Sequence, residues 1–210
     1  MPSTSRFFDG YAKDFDAIYG NANTPLNALI NGVFRTSMRL RFERSIEGAS
    51  PVEGKTVLDV GCGPGHYSVT LAQRGAKHVT GLDFAKGMID IAQARAASAG
   101  VEGRCRFVYG DFMTAPLEGP YDYTILMGFM DYMKDARVVM DRALSLTRGK
   151  AFFSFPADGG VLAWQRKIRY RRRCDLFMYD EPGLRRLFGG RRARIERLAR
   201  DFFVTVDVDA

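Results

Sequence analysis

The chain has 210 residues and 46% hydrophobic residues, which suits one domain with a sizeable core. No apolar run approaches the ~20 residues of a membrane span, and Met1–Phe8 lacks the apolar centre of a secretory signal. The net charge of +7 is uneven: Arg166–Arg200 holds 13 Lys/Arg against 4 Asp/Glu, so this segment is +9 and the remainder −2.

Residues 6–48 carry no strand signal. Phe7, Phe8, Tyr11, Phe15, Ile18 and Tyr19 recur at spacings of three and four, an aromatic stripe on a helix. The stripe either packs on the core or closes over a ligand, with Tyr11 and Tyr19 facing the pocket. Gly20–Pro25 breaks it, and Thr24 before Pro25 starts a second helix to about Ile46. After a loop at Gly48–Gly54, Thr56-Val57-Leu58-Asp59-Val60 is short, β-branched and apolar on both faces, a buried strand. Gly61, Gly63 and Gly65 follow, then a helix to about Arg74. Lys77–Asp83 reads as a second strand, Ala85–Ala99 as an alanine-rich helix closed by Gly100, and 105–109 as a third strand. Tyr121–Met127 is a fourth strand, a helix runs on to about Leu146, and Gly149–Pro156 is a fifth strand with Gly149 ending that helix. Gly159-Gly160 opens a helix with Trp164 and the basic run Arg166–Arg173. Asp180–Leu187 is another helix, and Arg194–Arg200 and Phe202–Val208 alternate as two closing strands. Strand and helix alternate, which argues a parallel, doubly wound α/β sheet.

The glycine turn is a ligand cradle: without Cβ atoms the backbone turns sharply, and the amides of the next helix point at whatever lies there. A dinucleotide fingerprint is G-x-G-x-x-G. Here the spacing is G-x-G-x-G, with His66 where that third glycine would fall and Asp59 just before the turn. A carboxylate there repels a diphosphate and welcomes an ammonium group, so an amino-acid head is favoured. Asp83 ends the second strand, placed for ribose hydroxyls, and Gly110-Asp111-Phe112 follows the third, with Asp111 placed for an exocyclic adenine amine. Phe84, Met88 and Phe112 are candidates to sandwich the purine. Cys62, Cys105 and Cys174 are odd in number and lack metal-ligand spacing, so a reduced, cytoplasmic chain without disulfide or metal is expected.

The run VLDVGCGPG at 57–65, LDF at 82–84 and GDF at 110–112 resemble motifs I, II and III of the class I S-adenosylmethionine-dependent methyltransferases, small-molecule type. The likeness extends over about 55–156, and Cys62 takes the place of the motif's usual small residue. The resemblance implies a Rossmann-like seven-stranded sheet, order 3-2-1-4-5-7-6, mostly parallel with an antiparallel last strand. A helical cap over 1–50, a cofactor-binding core at 51–157 and a basic helical segment with closing strands at 158–210 would complete a single domain. It implies S-adenosylmethionine as cofactor, with the backbone at Met127 and Gly128 near its methionine part and an arginine of the cap, Arg39 or Arg41, near its carboxylate.

The acceptor would be a small, anionic or aromatic metabolite methylated on oxygen or nitrogen. Phe129 and Tyr132 would either face it or pack into the core on the helix that follows, and the basic stretch at 166–173 is either a solvated helix face or, with Trp164 near and Arg169 first, an anion clamp. Tyr132, Asp131 and His66 are the candidates to orient the acceptor or take its proton. The alternative is an RNA methyltransferase using the 166–200 segment as its footprint. Against it, the fourth strand ends in Met-Gly-Phe-Met instead of the Asn/Asp-Pro-Pro-aromatic motif of exocyclic-amine methylases.

Overall fold

The structure, a computed structural model, describes residues 25–160 and 175–209, with side chains from residue 36 onward in the first helix. The expected aromatic helix at 6–19 and the helix opened by Gly159-Gly160 lie largely or wholly outside the described residues. The elements in chain order are α1 (Pro25–Gly48), β1 (Thr56–Val60), α2 (His66–Gln73), β2 (His78–Asp83), α3 (Lys86–Ser98), β3 (Cys105–Tyr109) and β4 (Tyr121–Leu126). They continue with α4 (Ala136–Ser145), β5 (Thr147–Pro156), α5 (Glu181–Leu187), β6 (Arg192–Leu198) and β7 (Asp201–Asp207).

One seven-stranded sheet runs β3-β2-β1-β4-β5-β7-β6, parallel except for β7, which is antiparallel to both β5 and β6. The expected order and the lone antiparallel strand are both present. Alternate residues of the central strands feed two cores. Leu58, Val60, Phe153, Phe155, Phe202 and Val204 join one; Val57, Ile125, Phe152 and Phe203 join the other. This two-sided burial is why those strands read as continuous apolar runs. Among the described residues no helix is long and apolar enough to cross a membrane.

Two expectations are corrected. The helix after β4 is not continuous: Met130–Tyr132 form a 3₁₀ turn, and α4 begins only at Ala136, where Asp135 accepts the Val138 N–H at 3.2 Å. An aspartate at this position offers the backbone a cap that a continuous helix would forfeit. Gly149 does not end a helix either; it lies inside β5, where a Cβ would stand 2.5 Å from the Asp122 carbonyl oxygen, beside a register shift in the β4–β5 ladder.

At the amino ends of the strands Asp122 ties β1, β4 and β5 together. Its carboxylate accepts the Thr56 N–H (2.8 Å) and hydroxyl (3.0 Å) and both Nε and Nη2 of Arg148 (2.9 Å each). These bonds, led by the guanidinium, hold its carboxyl well below the usual carboxylate range. Asp122→Ala leaves the Thr56 amide without its acceptor and should lower stability by about 2–3 kcal/mol. Chemical denaturation measures the loss, and ligand affinity at the far end of the strands should stay as in the wild type.

Candidate functional site

Parallel register brings the carboxyl ends of β1, β2 and β3 side by side: Val60 pairs with Leu82, and Asp83 with Tyr109. The glycine turn crosses this edge. The Gly61 and Cys62 amides both donate to the Leu82 carbonyl, at 2.8 and 3.0 Å. Asp83 is buried; Oδ2 accepts the Gly63 N–H at 2.9 Å and Oδ1 the Ala85 N–H at 2.8 Å. One carboxylate therefore fixes both the glycine turn and the entry to α3. Gly63 itself has φ +51°, and among the described residues a Cβ there would meet nothing within 4 Å, so toward them the turn presents bare backbone. Its neighbours are closed in: a Cβ on Gly61 would stand 2.8 Å from the Phe129 ring, and one on Gly65 3.0 Å from Ala92.

Asp59 is 2% exposed and turned toward α2, accepting the Ser68 hydroxyl at 2.6 Å and the Ser68 backbone amide. Burial pushes its carboxyl up from 3.8 to about 7, against the pull of those two bonds. Cys62 and Cys105 are both free; burial raises each thiol, that of Cys105 to about 11.

The other expected site residues divide. Gly110 donates to the Asp83 carbonyl at 2.9 Å, Asp111 is exposed and accepts the Met113 N–H at 2.8 Å, and Phe84 is half-buried. Met88 and Phe112 are buried. Phe112 lies edge-on to Phe129 at 5.9 Å with Arg142 over its ring, so it is core and not a free wall for a purine. Phe129 is core for the same reason, wedged between Phe112 and Gly61.

His66 is exposed, and its Nδ1 lies 3.1 Å from Arg95 Nη1 of α3. Tyr132 is half-buried and Asp131 buried in the turn after β4, where the Asp131 carbonyl accepts the Phe177 N–H at 2.8 Å. Tyr179 donates to the Met130 carbonyl at 3.3 Å; burial and the Asp131 charge raise its phenol to about 12.

Arg39 is exposed and pairs with Glu43, whereas Arg41 is buried, its Nη1 near half-buried Gly128; Met127 is half-buried beside it. Two residues along α1 turn the side chain by about 200°, so only one of Arg39 and Arg41 can face the sheet. Tyr11, Tyr19, Trp164 and Arg169 lie outside the described residues.

Sequence reasoning missed Ser154, Phe177, Tyr179 and Asp201. Ser154 had a signal: a hydroxyl inside Phe152-Phe153-Ser154-Phe155 is a buried polar group that needs partners. Among the described residues, no three His, Cys, Asp or Glu side chains gather closely enough to hold a metal ion.

Residues 57–149, the span of this architecture from β1 into β5, match the family model of the methyltransferase domain. Over these residues the chain is similar to the methyltransferase-domain family. The chain is 34% identical over 119 residues to the ubiquinone biosynthesis O-methyltransferase of Chromobacterium violaceum, 56% of this chain and 50% of that protein. It is 35% identical over 117 residues to the Bordetella avium protein of the same name, 55% of this chain and 48% of that one. The chain thus spans about half the length of these curated relatives. Its fold is that of magnesium protoporphyrin IX methyltransferase from Synechocystis, solved with bound S-adenosylhomocysteine: TM-score 0.73, 22% identity, 97% of each chain.

The raised carboxyl of Asp59 should make stability fall with pH. Between about pH 4 and 7 the folded state keeps a proton on Asp59 that the unfolded chain has lost, so stability is full below that window and declines through it. The Tm of the free protein should drop from pH 5 to pH 8. Asp59→Asn, which still accepts from Ser68, should flatten that slope; the Asp122 contribution lies at lower pH and does not interfere.

Proposed function

We propose that the protein transfers a methyl group from S-adenosylmethionine to oxygen or nitrogen of a small anionic or aromatic metabolite, in the cytoplasm. The observation that carries the reading is the bare Gly63 backbone, held by Asp83 at the strand tips and, among the described residues, facing open space. Asp111 and half-buried Phe84 flank the position assigned to the adenosine. Gly128, where a Cβ would meet only Arg41 at 3.7 Å among the described residues, is assigned to the amino-acid end. When bound, the cofactor supplies an activated methyl group on a sulfonium.

The chain's work is then to hold the acceptor in line and keep water out. Asp131 and Tyr132, in the turn after β4, are the groups we assign to the acceptor and its proton. His66, drawn to Arg95, we assign to the cofactor side. Oxygen on an aromatic ring is favoured as acceptor because the curated relatives are named as ubiquinone biosynthesis O-methyltransferases. A buried carboxylate beside a cationic ligand is stabilised as the anion, so cofactor affinity should rise with pH through about 7 and lose that dependence in Asp59→Asn.

The test is methyl transfer from isotopically labelled S-adenosylmethionine to three acceptor classes: ring hydroxylated carboxylic acids, aliphatic amines, and bulk transfer RNA. Label on the phenolic oxygen is the expected result; label on RNA alone would replace this reading with the nucleic-acid one. With a carboxylated acceptor, Arg169→Ala should raise KM about tenfold and leave kcat within about twofold, as expected for lost uniform binding. Initial-rate kinetics decides it.

A further inference from the structure

Arg41 enters the sheet from α1 as a buried cation. Its Nε lies 3.5 Å from Asp201 Oδ2 of β7, and Nη1 donates to Ser154 Oγ of β5 at 3.3 Å. The same Ser154 oxygen accepts the Gly128 N–H at 2.7 Å. Nη1 stands 3.7 Å from where a Cβ on Gly128 would be, and among the described residues beyond its chain neighbours no other group comes within 4 Å of that point. Nη2 has no hydrogen-bond acceptor among the described residues. Asp201 thus pairs with the Nε side as a counter-charge without a hydrogen bond, Ser154 holds Nη1, and Nη1 is the guanidinium nitrogen that faces Gly128.

Asp201 is itself precisely located. It follows the two-residue β6–β7 turn, in which Ala199 takes φ +50°. The Arg200 N–H donates to Ser37 Oγ of α1 at 3.4 Å, and the Arg200 carbonyl accepts the Ala157 N–H at 3.1 Å. The turn is therefore pinned to both α1 and the end of β5. Asp201 is 2% exposed, so it supplies the counter-charge that a buried guanidinium requires. Arg41, Ser154 and Asp201 all lie outside the segment 57–149 that matches the family model.

We propose that Asp201 is a positioning residue of the cofactor site: by taking the Nε side of Arg41 it presents the remaining guanidinium donors to the carboxylate of the bound amino-acid head. The inference rests on the methyltransferase reading. A guanidinium fork grips a carboxylate only if its plane is fixed. Without Asp201 the long Arg41 side chain has to be ordered each time a ligand binds, which weakens that grip.

The experiment is calorimetric titration with S-adenosylhomocysteine and with 5′-methylthioadenosine, which has the same nucleoside and thioether but no amino-acid head. In Asp201→Asn, affinity for S-adenosylhomocysteine should fall about tenfold while that for 5′-methylthioadenosine stays within about twofold. Arg41→Lys should shift the ratio in the same direction, and Ser154→Ala by a smaller factor. These two variants carry the measurement if thermal melts find Asp201→Asn unfolded. Equal losses on both ligands, or a ratio equal to wild type, would overturn the positioning role. A wild-type protein that binds neither ligand would instead overturn the cofactor reading itself.

Discussion

A single carboxylate joins the two segments that define the ligand edge of this sheet. Asp83 ends β2 and accepts one amide from the glycine turn and one from the entry to α3. It can do so only because β1 and β2 run parallel and in register, so that the turn after one strand falls beside the tip of the next. The glycine turn is held open by this bond and by the two amides on the Leu82 carbonyl. Everything assigned to the ligand, from Asp111 to Gly128, is arranged along that edge.

The opposite end of the sheet solves a different problem. There the Asp122 carboxylate gathers partners from β1 and β5, next to the place where the β4–β5 register slips and Gly149 lets the Asp122 carbonyl approach. The division suits an open α/β sheet, in which crossover helices leave one edge of loops to bind ligand and the other to hold the strands together. The polar groups inside each end are correspondingly unlike. Asp122 is surrounded by donors and is held ionised, whereas Asp59, near the glycine turn, is buried with a serine and is pushed toward its neutral form. A charge left poorly compensated near a site is available to respond to a cationic ligand.

On the proposed reading, the matched domain does not by itself complete the site. The helix α1 touches the start of α2 through Phe42 and Tyr67, whose rings are 5.1 Å apart, and reaches the β5–β7 side through Arg41 and Ser37. Chain from before β1 and after β5 thus converges on Gly128, and the buried Arg41 sits where these parts meet.

Much of this was legible in residue order alone. The acid-tipped strands, the glycine spacing and the alternation of strand and helix are local patterns: φ-permissive glycines, two-sided apolar runs and strand-end acids each announce themselves within a few residues. Side-chain direction is not local. Phe112 reads as a wall for the purine and Phe129 as either acceptor-facing or core, and both rings turn inward into the cluster of Leu58, Val60 and Leu126. Likewise two arginines, 39 and 41, are equivalent by composition, and only the packing of α1 decides which one is buried against Asp201 and Ser154. Sequence determined which elements form and in what kind of sheet, since propensity and periodicity act over short spans. Tertiary structure decided which polar groups meet, because residues as far apart as 41, 128, 154 and 201 become neighbours only when the whole sheet has closed.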